Sequence, residues 1–266
     1  MGLNKVAVRF GVCTGSEKIS QLAEAGFDYI ELPAHGFTLT DEKEFSSLCK
    51  EISQSGIVCE ASNFFYPLDY RVTGSDIDTK KIYGYIVKAV ERAVTLGVKN
   101  ITIGSGPQRK VPEGFPMEDA FRQFGDQIKY AGELAAKHDV MITVEPIRPE
   151  STNLVTNLAE AAKLVEYVNL PNVKTMADLN QMSGAGDTID MVYEYGAYIK
   201  HLHTIDVKNR CFPVDPDDKE QIALVKAYLS VNPGGRITIE GAPFTTVENA
   251  RLCLAALKNY VKEAGF

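Results

Sequence analysis

Apolar and polar positions along the chain fall into two alternating textures. Short runs of four to eight residues, apolar or rich in β-branched side chains, occur at 6–13 (VAVRFGVC), 27–32 (FDYIEL), 57–64 (IVCEASNF), 100–105 (NITIGS), 140–145 (VMITVE), 173–178 (VKTMAD), 199–204 (IKHLHT) and 236–240 (RITIE). Such runs read as strands buried on both faces. Between them, apolar positions recur at helical spacing over 16–25, 41–54, 78–96, 116–137, 156–168, 186–197, 217–230 and 245–263. Thr40-Asp41 and Asp78 stand where helix N-caps are expected.

Helix-to-strand connections are short and carry glycine (AGF, SGI, LGV, PGGR), the residue that ends a helix in the left-handed conformation. Strand-to-helix connections are longer, notably 64–77, 105–115, 146–155 and 205–216. Alternating strands and helices imply a parallel sheet, and eight such units close into an α/β fold, a single (β/α)₈ TIM barrel spanning 1–266. An open doubly wound sheet is the competing architecture. No Gly-x-Gly-x-x-Gly turn follows the first strand, which argues against dinucleotide binding. In a barrel, function gathers where the long loops fall, at the C-terminal ends of the strands.

Composition narrows the classes. The 266 residues, 45% of them apolar, suit one barrel, a fold that takes about 250 residues. With 28 Lys and Arg against 35 Asp and Glu, a net charge of −7 and no basic run, a nucleic-acid partner is not expected. No window has the length or apolarity of a signal peptide or membrane span, and Val6 stands where a myristoylation signal has Ser or Thr. A cytoplasmic protein without membrane attachment is the expectation. Cys13, Cys49, Cys59, Cys211 and Cys253 are scattered, with no C-x-x-C pair, and read as reduced buried thiols. There are only four histidines.

The chemistry lies at the strand ends. The last four runs finish on Glu145, Asp178, His203 before Thr204, and Glu240. Side chains at adjacent strand ends converge on the barrel axis, where three carboxylates would repel one another by several kcal/mol. A divalent cation removes that repulsion. Three oxygen donors and one imidazole suit Mn²⁺ first, with Mg²⁺, Co²⁺ or Zn²⁺ as alternatives. His201 and His203 share a strand face. His203, nearer the end, is the ligand candidate, and His201 falls in the layer below as an orienting or packing residue. His138 lies at the opposite end of the barrel. His35, in LPAHGF, is placed either to touch substrate or to stand solvated.

The order Glu145-Pro, Ala-Asp178, His201-Leu-His203 and Ile-Glu240-Gly resembles the xylose isomerase-like sugar isomerase and epimerase superfamily, nearest its ketose 3-epimerase (tagatose/allulose epimerase) branch. AGFDYIELP, EASNFFYP and GSGPQRKVPEGFP extend the resemblance along the chain. It implies one divalent metal held by Glu145, Asp178, His203 and Glu240, with Glu145 and Glu240 as the acid/base pair on opposite faces of a bound sugar. That agrees with the chemistry: a metal chelating two vicinal oxygens of a ketose acidifies the C–H between them and stabilises a cis-enediolate, which one carboxylate deprotonates and another reprotonates.

The chain departs from the pattern in the substrate region. Where the epimerases have a His three residues after the Asp ligand, this chain has Gln181. Arg210 matches their loop arginine only with about one extra residue. Trp is absent, so an apolar wall over the sugar would fall to Phe37, Phe64, Phe65 or Tyr66. Arg148 is placed to pair with substrate or a nearby acid, or to remain on the surface. Arg109-Lys110 reads as two exposed cations in preference to a phosphate site. The leading reading is a metal-dependent epimerase or isomerase of a small sugar. A lyase using the same site (inosose or dehydroshikimate dehydratase-like, or C-glycoside-cleaving) and a non-catalytic sugar- or partner-binding barrel subunit are the alternatives. The superfamily's multi-zinc endonucleases need more histidines than this chain has. The resemblance further implies a homodimer or homotetramer.

Overall fold

The computed structural model describes residues 7–241 and 244–266. Among them, eight parallel strands run in chain order around a closed barrel: β1 (Arg9–Cys13), β2 (Tyr29–Pro33), β3 (Val58–Asn63), β4 (Asn100–Ile103), β5 (Met141–Val144), β6 (Val173–Asp178), β7 (Ile199–Thr204) and β8 (Arg236–Ile239). Each predicted strand is present, with β8 closing onto β1 through Arg9 opposite Arg236. Val6, included in the first predicted run, lies outside the described residues. None of the described helices is long and apolar enough to cross a membrane.

The helices are α1 (Ile19–Ala25), preceded by a 3₁₀ turn at Ser16–Lys18, α2 (Ala34–Leu39), α3 (Glu42–Ser55), α4 (Thr79–Leu96), α5 (Met117–Ala136), α6 (Leu158–Val168), α7 (Leu179–Ala185), α8 (Ile189–Glu194), α9 (Lys219–Val231) and α10 (Val247–Glu263). Asp41 and Asp78 cap α3 and α4 as their sequence positions suggest, each accepting from the backbone N–H three residues on. Gly26, Gly56 and Gly97 end α1, α3 and α4 at φ of 91°, 79° and 87°. The helix expected over 186–197 is the shorter α8, and an unforeseen helix, α7, precedes it directly after β6. Gly186 at φ 76° breaks the path between them, and Asp178 starts α7 directly after β6 by accepting from the N–H of Gln181. The short α2, which follows β2 without a polar cap, was not foreseen.

Apolar helix faces such as Ile82, Ile86, Ala89 and Ala93 of α4 pack on the outside of the sheet. Inside the barrel the filling is unusually polar for a layer normally made of branched apolar side chains. Near the N-terminal ends of the strands, Arg9 and Arg236 each donate through Nε to a different oxygen of Glu60 at 2.6 Å. Higher up, the ring of Tyr29 occupies the space that a Cβ at Gly11 would take, 2.1 Å from the ring. The Tyr29 hydroxyl meets Thr238 Oγ1 at 2.6 Å, and Thr238 meets Glu31. A column of polar contacts therefore rises from the floor of the barrel to its mouth.

Two register shifts set the geometry at the top of this column. Between β6 and β7 the pairing moves from Thr175 opposite Ile199 to Ala177 opposite Leu202, which sets Asp178 opposite His203. Unshifted pairing would set Asp178 against Leu202. Between β2 and β3 a second irregularity occurs at Ile30/Glu31. Such bulges re-aim side chains beside functional sites.

Candidate metal centre

Glu145 follows β5, Asp178 ends β6, His203 is the penultimate residue of β7, and Glu240 follows β8. One donor atom from each lies within 4.8 Å of the others. The four residues singled out at the strand ends are thus brought together. His203 Nδ1 faces Glu240 Oε2 at 3.0 Å and Asp178 Oδ2 at 3.6 Å. Asp178 has a divided role. Its Oδ1 accepts from the Gln181 N–H at 2.7 Å, which caps α7 and leaves Oδ2 for the cluster. Asn63, at the end of β3, donates to Glu240 Oε1 at 3.5 Å.

Burial decides the electrostatics. Glu145, 7% exposed, is pushed well above the usual carboxylate range by loss of solvent and then by the charges of Glu240 and Asp178. Glu240 is raised by burial as well, against the pull of His203. Burial disfavours a charged His203, yet Cys13, then the carboxylates of Glu31 and Asp178, outweigh it and hold the imidazole well above its ordinary value. Glu145 Oε1 is buried with no hydrogen-bond partner. An unpartnered buried carboxylate oxygen, beside two more carboxylates and an imidazole, is a donor set that fits a hard divalent cation.

Three supporting residues lie outside the strand-end candidates. Glu31 of β2, fully buried, accepts from His203 Nε2 at 3.0 Å and His201 Nε2 at 2.9 Å. His201, expected in the layer below as an orienting or packing residue, is fully buried and bonded to Glu31. Burial alone would raise Glu31, but the two imidazoles hold it well below the usual carboxylate range. Its signal was available, an acid near the end of a predicted strand, though in the first half of the chain. Gly104, the second, has Glu145 Oε2 2.1 Å from the position of an added Cβ, so a side chain there would displace that carboxylate oxygen.

Arg109, the third, corrects an expectation. Expected to be exposed, it is wholly buried, and its guanidinium donates to the carbonyls of Gly104, Glu145, Leu154 and Val155 at 2.7–3.0 Å. The planar fork matches converging loop carbonyls in a way that no surface position would use. Burial lowers its pKa to about 10, with Glu145 opposing, so it remains charged behind the cluster. Lys110 is exposed as expected.

The substrate-side candidates are dispersed. His35 Nδ1 donates to the Phe64 carbonyl at 2.9 Å, and Phe64 is 52% exposed at φ 45°. The other wall candidates, Phe37, Phe65 and Tyr66, are buried in the core, because α2 and the β3–α4 loop fold them inward. Gln181 gives its side-chain carbonyl to the Arg148 N–H at 3.2 Å, and Arg148 reaches Asn180 at 3.3 Å across α7. Arg210 is exposed at φ 53° in the loop after β7. All five cysteines are free, and Cys13 lies 3.7 Å from His203 Nε2.

The profile described as "Xylose isomerase-like TIM barrel" matches residues 19–222. Hydroxypyruvate isomerase of Escherichia coli (strain K12) is 26% identical over 166 residues, covering 61% of this chain and 63% of that protein, so the match spans less than two thirds of the relative's length. Among solved structures, 3-keto-D-glucoside 4-epimerase from E. coli superimposes with a TM-score of 0.78 at 18% identity, covering 94% of this chain and 99% of the other. D-allulose 3-epimerase from Methylomonas sp. gives 0.81 at 16% identity, covering 98% and 100%. At these identities the structural likeness is one of fold.

Two outcomes follow from the buried charges. Replacing Arg109 by Met should lower unfolding stability by about 3 kcal/mol or more, since buried carbonyls lose charge-assisted partners; urea denaturation reads this, and a change below about 1 kcal/mol would contradict the role. With chelator present, the folded chain holds the Glu145 proton above 4.5, where the unfolded chain has released it. Glu240 and His203 act in the same sense and outnumber His201, which burial holds neutral and which opposes them in this window, so melting temperature should fall as pH rises from weakly acidic to neutral. Glu31 acts oppositely, losing its contribution only as pH falls below the ordinary carboxylate range. Glu145→Gln should flatten the decline, and a flat wild-type profile would contradict the assignment.

Proposed function

Because the chain belongs to the xylose isomerase-like TIM barrel family, we propose that it is a divalent-metal-dependent isomerase or epimerase of a small keto-sugar, with Mn²⁺ as the leading cation. The observation that carries this reading is the convergence of Glu145, Asp178, His203 and Glu240 around a buried carboxylate oxygen with no partner of its own. When bound by these four residues, a divalent cation supplies neutralisation of the carboxylates and polarisation of substrate oxygens, which acidifies the neighbouring C–H.

The rest falls to the side chains. Glu145 and Glu240 enter from β5 and β8, flanking the donors of β6 and β7. One removes the proton beside the substrate carbonyl and the other delivers a proton from the far side. Transfer of this kind contributes roughly 10²- to 10⁴-fold for each positioned group. Asn63 steadies Glu240 through Oε1, and Arg109 and Gly104 set the position of Glu145. Phe64, held by His35, offers an apolar surface to the sugar, while Arg148, Gln181 and Arg210 are polar groups in the loops and helix that follow β5, β6 and β7. Hydroxypyruvate isomerase and the epimerases named above act on small carbonyl compounds by their names, which is in keeping with this substrate class.

Elimination from the same site is the second reading. In its favour, Gln181 is an amide: its carbonyl accepts from the Arg148 N–H, and its NH₂ group can donate a hydrogen bond but is too weak an acid to return a proton to substrate. Incubation with keto-sugars in deuterated water, followed by NMR, tests both. The epimerase reading predicts a stereoisomer carrying solvent deuterium at the epimerised carbon, and loss of exchange by roughly 10²-fold or more in Glu145→Gln and Glu240→Gln. An unsaturated ketone as product would move the assignment to elimination, and near wild-type exchange in either variant would overturn the two-base mechanism.

A further inference from the structure

We propose that Glu31 is a positioning residue that fixes the tautomer and ring orientation of His203, so that Nδ1 and not Nε2 is presented to the cation. This rests on the metal-site reading above and deepens it.

The direction of each hydrogen bond is determined by the chemistry of an ionised carboxylate, which only accepts. Glu31 Oε1 therefore takes a proton-bearing Nε2 from His203 at 3.0 Å. Oε2 takes Nε2–H of His201 at 2.9 Å and the hydroxyl of Thr238 at 2.9 Å. Because Thr238 spends its hydrogen on Glu31, Tyr29 must donate to Thr238 across their 2.6 Å contact. Three donors thus hold one carboxylate, and all the groups concerned are fully buried.

With Nε2 of His203 committed to Glu31, the nitrogen left for a cation is Nδ1. That is also the atom that faces Glu240 and Asp178, at 3.0 and 3.6 Å. Ligating imidazoles are commonly oriented this way, by a carboxylate on the far nitrogen, and removing such a partner costs about 10- to 100-fold in metal affinity. An amide in place of Glu31 cannot reproduce the arrangement. With its oxygen toward His203, its NH₂ group would point at His201, whose ring would then need its proton on Nδ1. That atom is buried with no partner, so the change would leave a buried donor unsatisfied.

The test uses protein carrying ¹⁵N-labelled histidine, where only four residues give signals, loaded with ¹¹³Cd²⁺. The expected spectrum has one histidine coupled to cadmium through Nδ1 with Nε2 still protonated. Glu31→Gln should bind Mn²⁺ about 10- to 100-fold more weakly in a competition titration. Should that variant fail to fold, Thr238→Val, which keeps the carboxylate and removes one of its donors, should show a smaller loss in the same direction. Cadmium coupling through Nε2 would overturn the proposal and leave the metal site standing, as would wild-type Mn²⁺ affinity in a folded Glu31→Gln. Absence of cadmium coupling from every histidine of the wild-type protein would remove both readings together.

Discussion

Mutual repulsion among carboxylates inside a barrel is the constraint on which the rest of this structure depends. Glu145, Asp178, Glu240 and Glu31 are crowded into one end of a sheet only eight strands around. A pair of like charges 4 Å apart costs about 4 kcal/mol at an effective dielectric near 20. The described surroundings answer each charge separately. Glu31 is satisfied by two imidazoles and a hydroxyl, Asp178 by the first turn of α7, and Glu240 by Asn63 and His203. Glu145 is the exception. Its backbone is held by Arg109 while one side-chain oxygen has no partner. An arrangement that satisfies three acids and leaves the fourth open is what the proposed cation would complete.

The same division separates scaffold from selectivity. Contacts beneath the cluster are short, buried and built on strands, from the Arg9–Glu60–Arg236 group through Tyr29 and Thr238 to Glu31. Contacts above it belong to loops and to the short α2 and α7. A site supported on strands is held more tightly than one on loops. Phe64 and Arg210, both at positive φ and both exposed, stand on the loop side. Under the proposed function, substrate choice is expected to depend on loop positions such as Phe64, Gln181 and Arg210 more than on Glu145, Asp178, His203 and Glu240.

Much of this was legible in the sequence because the period of a buried strand and that of an amphipathic helix are so different. All eight strands are visible as short apolar runs, and the four strand-end residues stand at their C-terminal edges. What escaped notice depends on three-dimensional register. The bulge that aligns Asp178 with His203 leaves no mark in local composition. Asp178 looks like a ligand candidate, while its second duty as the cap of α7 is hidden behind the first. Arg109 in a Gly-rich loop looks solvated, and only the folded loop shows four carbonyls aimed at it. Glu31 sits in a strand whose neighbours in sequence carry no chemistry, and its partners are about 170 residues away. A long-range contact of that kind has no local signature.

The central claim is that one divalent cation is held by three carboxylates and a single imidazole. X-ray absorption on Mn²⁺-loaded protein, freed of excess metal, measures that shell directly. The account predicts one equivalent of Mn²⁺ with a single imidazole among otherwise oxygen donors at about 2.1–2.3 Å. A shell containing sulfur, which Cys13 beside His203 would supply, or two imidazoles, which would draw His201 away from Glu31, would contradict it. So would a protein that retains no stoichiometric metal.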